Sequence, residues 1–300
     1  MKIFAIIVTY NAMWRGWIDH CLESLQKSTV PITAIVIDNL STDGTREHVP
    51  QHYPDAVWLP QNKNLGFGQA NNVGIRYALE HDADYVLLLN QDAHLAENTL
   101  ELMLEQSDKE SLLSPLQLNG DGNRLDFMFR VRMRDAENSF FDDIAINKQL
   151  SSKYRMQAFP AACWLMPISI IKRIGGFNPL FYHYGEDDNY LHRVRYHHIC
   201  IYMIPQAKMF HDRNEHGNMT IFSKNLCRRL LLIAACDINA SLPSRMIQWG
   251  RILTRCYTEA LPKHQYTPGE FLRSAIWIIR KWVCISKSRR KEKQIGPNWI

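Results

Sequence analysis

Residues 1–106 alternate two kinds of apolar pattern. Short unbroken runs, IFAIIVTY (3–10), TAIVIDN (33–39), AVWLPQN (56–62) and DYVLLLNQD (84–92), mark strands buried on both faces. Between them apolar positions recur at helical spacing: Trp17, Ile18, Cys21, Leu22 and Leu25, then GFGQANNVGIRYALE (66–80), then NTLELMLEQ (98–106). STDGT (41–45) offers turn and capping residues ahead of a short helix. This order predicts an α/β fold with a Rossmann-like, mainly parallel sheet flanked by helices. In such sheets ligands gather beyond the carboxyl ends of the strands. Those ends carry Thr9-Tyr10-Asn11, Asp38-Asn39 and Asn90-Gln91-Asp92, so three polar clusters converge on one crevice.

The pattern changes twice more. Residues 107–220 are less regular. LDFMFRVRMR (125–134) alternates like a strand, AACWLMPISIIKRIGGF (161–177) reads as strand, turn and short helix, and ICIYMIP (199–205) reads as a strand before KMFHDRNEH (208–216). Residues 221–300 are helical in character and end in a basic amphipathic extension. Boundaries are therefore set at 106/107 and 220/221.

Composition narrows the class. A chain of 300 residues with 46% hydrophobic and 22% charged residues is long and apolar enough for a globular core. Its seven cysteines are scattered singly, with no CxxC pair, which suits a reducing cytoplasm. The first apolar run is too short for a signal peptide core, and no stretch approaches the ~20 apolar residues of a membrane span. The net charge of +5 is uneven: residues 271–294 carry +7, leaving the rest near −2. The chemistry-bearing part is not a nucleic-acid binder.

Candidate chemistry sits at the strand ends. Asp92 closes a leucine-rich strand, as a metal ligand at a sheet edge does, although an acid there also serves as a helix cap. Gly66-x-Gly68-x-x-Asn71 approaches a dinucleotide fingerprint but lacks the third glycine and does not follow the first strand. Asn62, Asn64, Asn71 and Asn72 suit a polar, sugar-like partner better. His211, in FHDR, combines with a carboxylate as a divalent-ion ligand set, but His183, His192, His197, His198 and His216 lie nearby and spacing does not choose among them. FYHYGEDDNYLHR (181–193) sets Glu186, Asp187 and Asp188 among aromatic residues at the start of a helix.

Taken together, VTYN (8–11), VIDNLSTDGT (36–45), QNKNLGFGQANNVGI (61–75), LLLNQDAHL (87–95), GGFNPLFYHYGEDDNYLHR (175–193) and FHDR (210–213) resemble, in order and spacing, the inverting family 2 glycosyltransferases of the GT-A fold. The likeness covers about residues 1–215. It implies that 1–106 binds the nucleotide-sugar and 107–220 the acceptor. Thr9, Tyr10, Asn11, Asp38 and Asn39 would contact the nucleotide, with Asn64, Gly66 and Asn71 lining it. Asn90, Gln91 and Asp92 stand where the family has Asp-x-Asp. This Asn-x-Asp form is similar to that of rhamnosyltransferases of bacterial surface polysaccharides such as O-antigen. The resemblance assigns Mg²⁺ or Mn²⁺ to Asp92 and His211.

In the implied reaction a nucleoside diphosphate leaves, and a cation with positive groups stabilises the charge that develops. The acceptor hydroxyl needs a carboxylate to take its proton. The resemblance gives that role to Asp187, with Glu186, Tyr184 and Arg193 at the acceptor and Asp188 at a variable position. Asn189 replaces an acid usual in the family, while Arg193 is retained. A hydrolase built on Glu186 and Asp187 is disfavoured, because adjacent residues do not flank a sugar from opposite sides. Other donors, such as UDP-galactose or UDP-GlcNAc, and a non-catalytic sugar-nucleotide or glycan-binding protein are the alternatives.

In FLRSAIWIIRKWVCISK (271–287), apolar residues at helical spacing alternate with Arg273, Arg280, Lys281 and Lys287. Such a helix either lies on an anionic membrane surface or packs on the preceding domain. The first option makes the protein peripheral at the inner face of the cytoplasmic membrane, near lipid-linked saccharides.

Overall fold

The computed structural model describes residues 1–134, 139–213, 224–260 and 267–300. Among these residues, strands β1 (Ile3–Thr9), β2 (Thr33–Asp38), β3 (Val57–Trp58), β4 (Tyr85–Leu89), β5 (Ala93–Leu95), β6 (Leu112–Asn119), β7 (Tyr154–Arg155), β8 (Cys163–Pro167) and β9 (Ile201–His211) make one sheet. Its order is β3-β2-β1-β4-β8-β6-β9-β5, with β7 paired to β9. Helices α1 (Trp17–Gln26), α2 (Thr45–His52), α3 (Phe67–Glu80), α4 (Thr99–Glu105), α5 (Phe127–Arg134), α6 (Phe140–Ala145), α7 (Ile168–Ile174) and α8 (Glu186–Tyr196) belong to the sheet region. Helices α9 (Lys224–Cys236), α10 (Leu242–Arg255), α11 (Pro268–Arg280) and α12 (Trp282–Glu292) follow.

The expected parallel unit is β3-β2-β1-β4. Beyond it the sheet is mixed: β8 runs antiparallel to β4 and β6, and β9 is parallel to β6 but antiparallel to β5. The continuous apolar runs have the cause expected of them. Phe4, Ile6, Ile35, Ile37, Val86 and Leu88 enter one core cluster, while Ile3, Ala5, Ile7, Val36, Leu87 and Leu89 enter a second on the opposite face. Each large apolar side chain among them contributes roughly 1.5–3 kcal/mol on burial, so the register of β1 is fixed from both sides.

One expectation is overturned. Residues 127–134 form α5, not a strand. The alternation of Phe127, Phe129, Val131 and Met133 coincides with helical spacing at Phe129 and Met133, and these two are the buried pair. Asp126 settles the choice locally, because its Oδ1 accepts from the Phe129 backbone N–H at 2.9 Å, as a cap does.

The C-terminal helices close over a third cluster that includes Leu231, Ala235, Ile278 and Ile285, and Phe181 from the acidic loop joins it. The basic extension divides at Lys281. The α12 part packs on the domain through Ile285, Ser288 and Glu292, all buried. The outer face of α11 is different. Leu272, Ile276 and Ile279 are exposed at i, i+4 and i+7, a single apolar stripe facing outward, and Val283 at the start of α12 is exposed as well. No helix among the described residues is long and apolar enough to cross a membrane.

Candidate active site

The first cluster is assembled by the parallel strands. Register pairs Thr9 with Asp38, and Asn39 N–H donates to the Thr9 carbonyl at 2.8 Å. Asp38 is fully buried, accepts from Ser41 N–H and pairs with Arg46 at 3.1 Å. Asn39 Nδ2 donates to Asn64 Oδ1 at 3.0 Å, and its Oδ1 accepts from Leu65 N–H at 2.7 Å. Asn11, at a positive φ of 53°, accepts from Thr42 N–H at 2.8 Å. Gln91 clamps the Tyr10 backbone in both directions, at 2.7 and 3.2 Å, and leaves the Tyr10 ring exposed at the rim.

The run of asparagines has another explanation than a sugar. Asn71 bonds back to the Phe67 carbonyl at 3.0 Å within α3. Asn72 clamps Phe177, donating to its carbonyl at 2.8 Å and accepting its N–H at 2.6 Å. Asn64 is held by Asn39 and Gly66 N–H. These amides are satisfied inside the protein, and Asn71 is buried rather than lining the crevice.

Gly66 joins this cluster to the acidic loop. It has φ +75°, and a Cβ there would collide with the Tyr182 carbonyl oxygen. Only glycine tolerates both conditions. The Tyr182 hydroxyl donates to Asn64 Oδ1 at 3.2 Å, closing the same contact from the other side.

The second cluster lies where β4, β5 and β9 meet. His211 Nε2 is 3.2 Å from Asp92 Oδ1 and 3.5 Å from Asn90 Nδ2. Of the histidine candidates, His211 is the one beside Asp92. His192 faces Asp237 at 3.6 Å, and His197 contacts the Glu292 carbonyl. His216 lies outside the described residues. Behind the ring, Asp126 Oδ2 stands 3.4 Å from His211 Nδ1 and pairs with Arg213 at 3.0 Å. Burial lowers the His211 pKa, but the Asp92 charge and the Asp126 bond outweigh it, so the net shift is upward. Asp92 is half-buried, and although desolvation raises its carboxyl the His211 charge holds it below the usual carboxylate range.

These residues fit a cation carried by a diphosphate. Among the described residues no group of three or more His, Cys, Asp or Glu is clustered for a metal. Asp92 and His211 would supply two ligands, and Asn90 Oδ1 is a buried oxygen with no hydrogen-bond partner beside them. Mg²⁺ is characteristically held by one or two protein ligands while substrate phosphates complete its shell.

The acidic loop ends in Gly185, at φ +95°, from which α8 begins with Glu186 and Asp187. Glu186 is buried, and burial followed by the Asp187 charge pushes its carboxyl up to about 8. Asp187 is half-buried, and desolvation followed by the Asp188 charge raises it to about 6. Asp188 is not idle, because it forms an ion pair with Arg132 of α5. Tyr184 stays exposed beneath the Arg229 guanidinium, 5.0 Å from its ring centroid. Arg193 does not join the acceptor group. It is fully buried and donates to the Ile174 and Gly176 carbonyls at 2.6 Å each.

Helix α5 ties the two clusters together. Asp126 at its start supports His211, and Arg132, about 9 Å further along at 1.5 Å per residue, holds Asp188. Sequence reasoning missed Asp126, Arg132 and Arg229. Asp126 followed by Phe129 and Met133 was the available signal, a cap ahead of an i, i+4 apolar pair.

The parallel unit β3-β2-β1-β4 with polar strand ends, the Asp92–His211 pair and the acid pair at the start of α8 are thus the chemistry-bearing parts of the fold. Residues 4–175 match the model of glycosyl transferase family 2, and the chain belongs to that family and is a glycosyltransferase. It is 25% identical over 236 residues to an N-acetylglucosaminyl-diphospho-decaprenol L-rhamnosyltransferase of Mycobacterium tuberculosis, covering 69% of this chain and 75% of that one. It is 21% identical to the dTDP-rhamnosyl transferase RfbF of Shigella flexneri, over 70% of this chain and 69% of that one. The fold is shared with the mannosyltransferase PcManGT of Pyrobaculum calidifontis, solved with GDP-Man and Mn²⁺. The TM-score is 0.55 at 15% identity, over 97% of this chain and 84% of that one.

Proposed function

We propose that this glycosyltransferase moves L-rhamnose from dTDP-L-rhamnose, with inversion, to a hydroxyl of a glycan or lipid-linked saccharide in surface polysaccharide synthesis such as that of O-antigen. The observation that carries the catalytic part is the unequal setting of two adjacent acids. With Asp187 at about 6 and Glu186 at about 8, the first is ionised and the second protonated at neutral pH. Environments that push two carboxyls apart assign their roles. Asp187 takes the proton of the attacking hydroxyl, and Glu186 donates a hydrogen bond that orients the acceptor. Tyr184 offers its exposed face to a sugar ring.

The nucleotide lies across Thr9, Tyr10, Asn11, Asp38 and Asn39, with Asn64 and Gly66 shaping the wall. Asp92 and His211, with Asn90 beside them, hold Mg²⁺ or Mn²⁺. Bound there, the cation supplies Lewis-acid neutralisation of the departing diphosphate. The Mn²⁺ in the Pyrobaculum mannosyltransferase structure supports this reading. The two rhamnosyltransferase relatives support the donor, and the mycobacterial one supports a diphospho-polyprenol acceptor.

The outer stripe of α11, flanked by Arg273, Arg280 and Lys281, supports docking on an anionic membrane surface, where such an acceptor resides. The experiment is transfer to a GlcNAc-diphospho-polyprenol acceptor with Mg²⁺ or Mn²⁺ and a panel of dTDP-rhamnose, UDP-galactose and UDP-GlcNAc. Product from dTDP-rhamnose, reduced about 10²–10⁴-fold in Asp187→Asn, is expected. Transfer only from another donor overturns the rhamnose assignment, and undiminished transfer by Asp187→Asn overturns the base.

A further inference from the structure

The helix that carries the two acids is fastened along one ridge by a segment about a hundred residues further on. Asn189, Arg193 and His197 follow each other at i, i+4 and i+8, so they share a face of α8 and its C-terminal cap. Asn189 Nδ2 donates to Glu292 Oε1 at 2.8 Å. His197 Nε2 lies 2.9 Å from the carbonyl of the same Glu292. Arg193 is stacked on Trp299, 4.9 Å from its ring centroid. Next to this ridge, Asn178 Nδ2 donates to Glu292 Oε1 at 2.6 Å and to Ser288 Oγ at 2.7 Å. The strand-to-helix corner is tied in as well: Gly176 N–H donates to the Asn298 carbonyl and Gly296 N–H to that of Arg173.

Charge explains why an acid stands at position 292. Arg193 is a fully buried guanidinium whose hydrogen-bond acceptors are two neutral carbonyls. Burial lowers its pKa, and the Glu292 charge opposes that shift. A buried cation without a countercharge is costly. Within α8, the residue one turn before Arg193 is Asn189, which is uncharged. Glu292, itself 1% exposed in an otherwise basic run, brings the carboxylate from outside the helix.

We infer that Glu292 is a positioning residue for the acid pair, supplying from α12 the carboxylate that locks the 189–193–197 ridge and so sets where Glu186 and Asp187 stand. It touches neither acid and acts through α8. This inference rests on the transferase reading of Glu186 and Asp187, and it accounts for the neutral Asn189. The nucleotide cluster is built from β1, β2 and β4 and does not depend on this ridge. Loss of the lock therefore falls on turnover and not on donor binding.

The test uses the full chain in three forms: Glu292→Gln, Asn189→Asp, and the two combined. In Glu292→Gln, kcat falls on the order of ten- to a hundred-fold, as a misplaced catalytic group predicts, with the donor KM within about twofold. Asn189→Asp alone sets two carboxylates against each other and loses a similar factor. The double variant restores the pattern in reverse. In the wild type Asn178 and Asn189 share Glu292 Oε1, so the amide introduced at position 292 turns its nitrogen toward the carboxylate introduced at position 189, and Asn178 keeps its bond to Ser288 Oγ. Arg193 again faces a carboxylate, so kcat returns to within about threefold of wild type. Amide exchange across residues 186–196 provides a readout independent of transfer: faster in each single variant, restored in the double.

Wild-type turnover in Glu292→Gln, or a double variant no better than the worse single one, overturns the inference. If a single variant fails to fold, refolding and activity in the double decide the matter in the same way. If the wild-type chain transfers no sugar, the functional reading fails, and the exchange data still test the lock.

Discussion

His211 holds its Nε2 3.2 Å from Asp92 Oδ1, although 119 positions separate them. The pair is brought together by the antiparallel ladder between β5 and β9, which sets Ala93 opposite His211. For the imidazole to offer Nε2 to a cation, its proton must sit on Nδ1, where Asp126 Oδ2 at 3.4 Å accepts it in competition with the Arg213 guanidinium, 3.1 Å away and able only to donate. Asp126→Asn should weaken Mn²⁺ binding in the presence of a nucleoside diphosphate by about 10–100-fold. Electron paramagnetic resonance titration of free Mn²⁺ measures this directly, and unchanged affinity removes Asp126 from the metal site.

The two acids also predict a pH profile. Transfer rises as Asp187 loses its proton at about pH 6 and falls as Glu186 loses its proton at about pH 8, giving a bell for kcat/KM. The apparent values belong to the coupled pair. In Glu186→Gln the alkaline limb should vanish while the acid limb stays. A profile flat across both steps contradicts the assignment.

Stability follows the same carboxyl with a defined sign. The folded-state value of Glu186 lies above its ordinary 4.5, so the folded protein holds the proton more tightly than the unfolded chain. The associated stability is present below pH 4.5 and is lost as pH rises toward about 8. Glu186→Gln should therefore gain on wild type by up to roughly 5 kcal/mol across that window. Urea midpoints at its two ends test it, and a difference independent of pH refutes the burial argument.

Gly66→Ala should cost about 1–3 kcal/mol, since alanine is strained at φ +75° and its Cβ meets the Tyr182 carbonyl. Thermal unfolding gives the stability change. Nucleotide affinity should drop with it, because the same contact holds Asn64 in place.

On the membrane side, Leu272→Ser with Ile279→Ser removes two of the three exposed stripe residues without touching the buried face of α11. Binding to vesicles containing anionic lipid should fall by about tenfold or more, at unchanged thermal stability. Equal binding by both proteins discards the membrane reading. Truncation at residue 265 is a poorer test, because it also removes Ile278 and Ile285 from the third core cluster.

The strand-end clusters were readable because an unbroken apolar run has one meaning when both its faces are covered, and the polar residue that ends it marks the crevice. The acid pair was readable because Gly185, the acids and the aromatics are contiguous. Asp126 was not, since period-2 and period-4 spacing coincide over Phe129 and Met133. The asparagine run was only partly readable, because Asn71 and Asn72 bond the Phe67 and Phe177 backbones and sequence does not distinguish an amide that serves a backbone from one that serves a sugar. Glu292 looked like the lone acid of a basic tail. Its meaning depends on Asn178, Asn189 and Arg193, which proximity along the chain does not reveal.

The contact between Asn189 and Glu292 spans 103 positions, and helices α9 to α11 lie between its ends. Closing such a long loop costs chain entropy before any bond offsets it, so this contact belongs among the late events of folding. The strands of residues 1–106 pair among themselves, β1 with β2 and with β4, without any residue beyond 221. During synthesis, then, the strand ends that carry Thr9, Asp38 and Asn90 emerge well before the segment that fastens α8, so the two sides of the proposed site are completed at different times.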